Sequence, residues 1–235
     1  MTRSTVKTVA LSLSGALLFF AFVALGTWQV YRLQWKLDLI ARVNARVHAP
    51  VQPAPGPAQW PAISAKSDEY LHVQAKGVLL ADKSVRVQAS TNLGPGFWLV
   101  TPLKQADNTI ILVNRGFVPP ASDKPLVETP SGEVIVTGLV RMTEPKGGFL
   151  RSNDPAHNRW YSRDVQAIAK AKQLDHVAPY FIDEDAANNR PDIYPVGGLT
   201  IVHFHNSHLV YAITWYTLAL MVLWAAWVVR KKQGA

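Results

Sequence analysis

The sequence predicts a membrane protein in which two transmembrane α-helices flank a mainly antiparallel β domain, a small barrel or sandwich with one short helix. Three observations predict it. Two uncharged apolar blocks lie near the ends of the 235 residues, a proline-rich stretch follows the first, and short strand-like runs separated by turn signals fill the space between. Composition agrees: 49% of residues are hydrophobic, 17% are charged and mean hydropathy is +0.05, too apolar for a disordered chain and slightly too apolar for an ordinary soluble domain. Zero cysteines exclude a disulfide framework, a thiolate metal site and a cysteine nucleophile.

The first block, residues 8–31, holds no charge, and its 24 residues make roughly 36 Å of helix, enough for a hydrocarbon core of about 30 Å. Its apolar stretch exceeds the h-region of a cleaved signal peptide. Beyond it the helix is expected to continue, because Trp28, Arg32 and Trp35, and likewise Gln29, Arg32 and Lys36, recur at helical spacing. Prolines 50, 53, 55, 57 and 61 make 49–62 a stiff linker, so 32–62 is read as helix extension plus linker. The β domain occupies 63–207, with strands expected at 70–80, 84–90, 96–104, 108–118, 133–141, 159–162, 178–183 and 199–205. A helix is expected at 163–173, started by Ser162 and Asp164. The second membrane helix covers 208–229. Gly15 and Gly26 are candidates for close helix contacts.

Charge sets the orientation. The formal net charge is +8 and the pI about 9.8, but five cations (Arg3, Lys7, Arg230, Lys231, Lys232) lie in the terminal segments 1–7 and 230–235. The remaining 19 Lys and Arg face 16 Asp and Glu, so no strongly basic nucleic-acid face is indicated. Cations directly after the second helix place the C-terminus in the cytoplasm, and two spans then put the N-terminus there too. No organelle-type presequence is evident, so a bacterial inner membrane with a periplasmic β domain is the expected setting.

No phosphate-binding glycine loop, metalloprotease motif or nucleophile elbow is present. Asp183, Glu184 and Asp185 read as a solvated turn, and Asn114-Arg115-Gly116 as a turn with an arginine anchor. His48, His72, His157 and His176 read as surface histidines. His203, His205 and His208 form an H-x-H-x-x-H run that could serve zinc, copper or iron if the strand bends toward the helix start. His208 stands at the outer interface of the second helix, where an ionisable group is costly and points to function. Tyr211, Ala212, Trp215 and Ala219 share its face, a surface suited to a flat apolar ring, and imidazole is a normal haem axial ligand. An interfacial histidine in an aromatic belt is the plainer reading. Arg32, between Trp28 and Trp35, suits a haem propionate or a lipid headgroup.

Five stretches together resemble the surfeit locus protein 1 family of cytochrome oxidase assembly factors. They are LGTWQVYRLQWK at 25–36, VNRGFVP at 113–119, GLVR at 138–141, NRWYSRD at 158–164 and NSHLVYAITWY at 206–216. The first and last, at the outer ends of the two helices, are the specific ones. The resemblance implies a non-enzymatic factor that binds haem a and helps it enter oxidase subunit I, with His208 as axial ligand and Arg32, Trp28, Tyr211 and Trp215 around the ring. It implies the haem a synthesis machinery and subunit I as partners, with no metal beyond the haem iron. Two other readings stay open: a cofactor-free scaffold bracing subunit I, and a periplasmic metalloenzyme using His203, His205 and His208.

Overall fold

The computed structural model describes residues 3–120, 128–145, 147–148, 151–189, 193–200 and 206–233. The chain forms two compact units, one of residues 1–42 with 203–235 and one of residues 43–202. In the first, helix α1 (Arg3–Val47) runs unbroken through the extension that the periodicity predicts, although its last turn belongs to the second unit. Helix α3 covers His208–Gln233. Both helices are long and apolar enough to cross a bilayer.

The second unit is a small barrel. Its strands are β1 (Gln52–Pro53), β2 (His72–Leu79), β3 (Val85–Thr91), β4 (Gly94–Lys104), β5 (Ile110–Val118), β6 (Glu133–Met142) and β7 (Val177–Glu184). They pair in the order β1-β2-β6-β7-β5-β4-β3, and a second pairing of β2 with β4 at Val78↔Lys104 and Leu79↔Leu103 closes the ring. All pairings are antiparallel except β1 with β2 and β5 with β7. Alternation builds the interior: Val73, Ala75 and Leu79 of β2 meet Val136 and Val140 of β6, Ile111 and Val113 of β5, and Tyr180 and Ile182 of β7. The other face of β5 and β7, with Ile110, Leu112 and Phe181, is covered by Trp160 and by Val165 and Ile168 of helix α2 (Val165–Ala171). Strand β5 is therefore buried at every position, which removes the alternation a half-exposed strand would show.

Several sequence expectations are corrected. The segment expected as a stiff linker is built into the barrel. β1 pairs along β2, Ala54 N–H donates to Gln74 O at 2.9 Å, and the Pro55 carbonyl accepts from Tyr180 Oη at 2.8 Å and Trp60 Nε1 at 3.0 Å. Proline is tolerated there because β1 is an edge strand with no second ladder to supply. Residues 159–162 form no strand: they make two isolated bridges, Asp154↔Arg159 and Val87↔Trp160, and the second sets the Trp160 indole into the outer core. Of 199–205, residues 199 and 200 are irregular and the rest lie outside the described residues. The expected helix is shorter than 163–173, because Asp164 caps it by accepting from Ala167 N–H at 3.1 Å.

A further correction concerns Asp183, which lies inside β7 rather than in a solvated turn and is only 4% exposed. Its carboxylate accepts from Asn114 Nδ2 (2.8 Å), Arg163 Nη1 (2.9 Å) and Thr200 Oγ1 (2.8 Å), with Arg141 Nη1 3.6 Å away. Asn114 is likewise no turn residue but a central position of β5, and its Oδ1 accepts from Gly116 N–H at 3.2 Å. Arg163 also clamps Glu144, through Nη2 at 2.6 Å and Nε at 3.1 Å. Burial works to raise the Glu144 carboxyl, but the hydrogen bonds and charge of Arg163 prevail and hold it below the usual glutamate range. A depressed carboxyl stabilises the fold above its unfolded pKa, and that contribution fades as pH falls through the folded value. The melting temperatures of the parent and Glu144→Gln, compared from pH 7 to 3, are therefore expected to differ most at neutral pH and to converge on acidification.

Candidate functional site on the apolar helices

Within the first unit the two helices meet along one stripe. At its start, Ser207 O takes the Tyr211 N–H at 3.2 Å and Asn206 Oδ1 accepts the His208 N–H at 3.3 Å. These bonds satisfy amides that a helix start leaves orphaned, and they fix the backbone of His208. Its side chain is fixed separately: Nδ1 lies 2.7 Å from Gln29 Oε1 of α1. Facing a carbonyl oxygen, Nδ1 is the donor, so in the neutral ring Nε2 keeps its lone pair. Among the described residues no side chain hydrogen-bonds Nε2.

Further along the stripe Thr27 Oγ1 and Tyr216 Oη share a 3.0 Å hydrogen bond, and Phe22 stacks on Trp215 with centroids 5.7 Å apart. Gly26 lies directly under the Tyr216 ring, where an added Cβ would stand 2.9 Å from Cε1, while Gly15 has open space around it. Of the two glycines, Gly26 is the one that permits close approach. Ala212 and Ala219 are buried. The face of α3 read as a platform for a flat ring is thus closed at this depth by α1, and His208 at the N-terminal end of α3 stays half-buried.

Of the other sequence-predicted site residues, Trp215 shares this contact and the rest stand apart from it. Trp28 and Tyr211 are exposed by about half, and Trp215 is half-buried beside Phe22. The Arg32 guanidinium sits over the Trp35 ring, 4.5 Å from its centroid. His203 and His205 lie outside the described residues, and among those described no group of three His, Asp or Glu could hold a metal ion. Of the histidines read as surface, His72 is half-buried and paired with Asp185 at 2.8 Å. Gln29 is the residue that sequence reasoning did not place in the site. It is 9% exposed in an apolar helix, and a polar group in that position was the available signal.

A family model described as the SURF1 family matches residues 16–220, a span that includes both helix ends and the whole barrel. The chain belongs to the SURF1 family. The rat protein named Surfeit locus protein 1 is 38% identical over 231 residues, covering 89% of this chain and 73% of its own. The human protein of that name is 36% identical over 222 residues, covering 85% and 71%. A SURF1-like protein of Monosiga brevicollis is 35% identical over 225 residues, covering 89% and 83%. The SURF1 match spans Gln29 and His208 together, so it takes in both halves of the interhelical hydrogen bond.

Proposed function

We propose that this SURF1-family chain is a non-enzymatic assembly factor for a haem–copper terminal oxidase, binding haem a as cargo through His208 and assisting its entry into subunit I. The observation that carries the reading is the hydrogen bond from His208 Nδ1 to Gln29 Oε1. An outer partner of this kind orients a metal-binding imidazole and raises the basicity of the other nitrogen. Tyr211, one turn along α3, and the exposed Trp28 offer aromatic faces to an apolar macrocycle, with Trp215 behind them. Arg32, its guanidinium resting on Trp35, is suited to a propionate. Because α1 closes the Ala212 and Ala219 face of α3, the ligand meets His208 at the start of that helix rather than along this face. One histidine held by one neutral partner gives a site that can release its cargo to subunit I after loading by the haem a synthesis machinery.

The charge pattern supports cytoplasmic termini with the barrel on the opposite side, which in a bacterial inner membrane is the periplasm. The test is an absorption spectrum of the detergent-purified full chain co-expressed with the haem a synthesis enzymes. A Soret band is expected in the parent, a band reduced at least tenfold in His208→Ala, and a partial loss in Gln29→Leu. A parent without a band, or a full haem complement in His208→Ala, overturns the reading. The close packing of Gly26 under Tyr216 favours one alternative, a cofactor-free brace for subunit I. In that case His208→Ala leaves oxidase maturation intact.

A further inference from the structure

A groove of about 860 Å³ opens on the barrel unit, and four arginines line it: Arg86 of β3, Arg115 of β5, and Arg151 and Arg159 of the segment before α2. Among the described residues no Asp or Glu lines it. Among the described residues none of the four closes an ion pair within 4.0 Å. Arg115 forms the floor. It is 8% exposed, and Nη1 donates to a neutral acceptor, Thr129 Oγ1, at 2.7 Å. Burial lowers its pKa, with Glu184 opposing in part from outside the groove. Arg151 also uses a neutral partner, donating to Gln88 Oε1 at 3.2 Å, and rests over the Tyr161 ring. Arg159 feels Asp154, but that carboxylate is bonded to His157 at 2.7 Å.

A buried guanidinium whose fork meets a neutral hydroxyl, with a carboxylate acting only from outside the groove, is costly, and the usual remedy is a carboxylate that meets the fork directly. Elsewhere in this barrel the remedy is applied: Arg163 and Arg141 both face Asp183. The groove therefore collects uncompensated positive charge although the 19 cations outside the terminal segments nearly balance 16 acids. Its volume is that of a site for a sizeable ligand and far exceeds a single inorganic anion. A groove of that volume, with arginines supplied by separate segments of the chain, suits a ligand with several carboxylates better than one compact anion. We propose that this groove docks an acidic peptide segment of a partner protein, one carboxylate on Arg115 and others on the rim formed by Arg86, Arg151 and Arg159.

The proposal is independent of haem binding and is tested on the detergent-purified full chain without haem. The probe is a fluorescein-labelled octapeptide of alternating Glu and Ser, with the Gln and Ser octapeptide as control and fluorescence anisotropy as readout. Saturable binding at least tenfold tighter for the Glu peptide is expected, weakening as salt rises. The double variant Arg86→Gln/Arg159→Gln should lower that affinity at least tenfold. Lys170→Gln/Lys172→Gln, which removes equal charge from α2, should leave it unchanged. Equal binding of the two peptides, or equal losses in the two double variants, overturns the proposal. A Glu peptide displaced by millimolar phosphate, or rim-dependent binding only to phosphatidylglycerol nanodiscs, overturns it in favour of a phosphate or lipid-headgroup site.

Discussion

Asp183→Ala is expected to cost the barrel about 3–5 kcal/mol, the penalty for removing one partner of a buried ion pair. The aspartate is shared by four groups from different elements: Asn114 of β5, Arg141 of β6, Arg163 ahead of α2, and Thr200. Without it Arg163 keeps Glu144, but Arg141 is left with Glu69 at 3.5 Å, and its Nε already lacks a hydrogen-bond partner. Asn114 Nδ2 and the Thr200 hydroxyl lose their acceptor outright. For a chain of this size the penalty is a fall of roughly 6–20 °C in melting temperature, read by near-ultraviolet circular dichroism of the full chain in detergent. Asp185→Asn provides the contrast. Its partner His72 leaves it a third exposed, and such pairs are worth about 1 kcal/mol or less. Similar losses for the two variants would contradict the shared role of Asp183.

Gly116→Ala is the second large effect, about 3 kcal/mol or more. Gly116 has φ +125°, and an added Cβ would lie 2.2 Å from Val196 O and 2.6 Å from Gly197 N. These are backbone atoms tied in place: Phe117 N–H donates to Val196 O at 2.8 Å, and Val196 N–H to Phe117 O at 3.0 Å. Neither side can yield without breaking that pair and loosening the segment before α3 from β5. Gly94 isolates the conformational part, because it also has positive φ, +98°, but open space where a Cβ would go. Gly94→Ala should cost only about 1–2 kcal/mol. A Gly116→Ala variant that melts with Gly94→Ala would mean that strain alone matters at 116.

The same residues show what could be read from the sequence. Apolar length disclosed both long helices, and alternation over 133–139 disclosed β6, in which Val136 and Gly138 are buried while Glu133 and Ile135 are exposed. Asn114-Arg115-Gly116 resembled a turn because Asn and Gly are turn formers. The strand conformation wins because Asn114 reaches Asp183 and Gly116 lies against Val196, contacts 69 and 80 residues away in the chain. Asp183 failed for the same reason: a run of acids suggests solvent until arginines from distant segments surround it. The Pro-rich segment was misread because Pro55 contributes through its carbonyl, a group every residue has. In the candidate site, the placement of His208 at the start of α3 was legible from the sequence. Gln29 was not, since what distinguishes it is a partner on the other helix.

Strand order also constrains how the domain comes into being. Strands β5 and β6 are adjacent in sequence, yet neither pairs with the other; β7, the last strand made, lies between them. Tyr180, Phe181 and Ile182 of β7 are all essentially inaccessible and join both cores. As the chain emerges from its N-terminal end, β2 through β6 therefore form an unfinished sheet with two open edges, held apart for a strand that arrives some forty residues after β6 begins. The polypeptide must stay unaggregated through that interval, and only when residues 177–184 insert does the barrel become a cooperative unit.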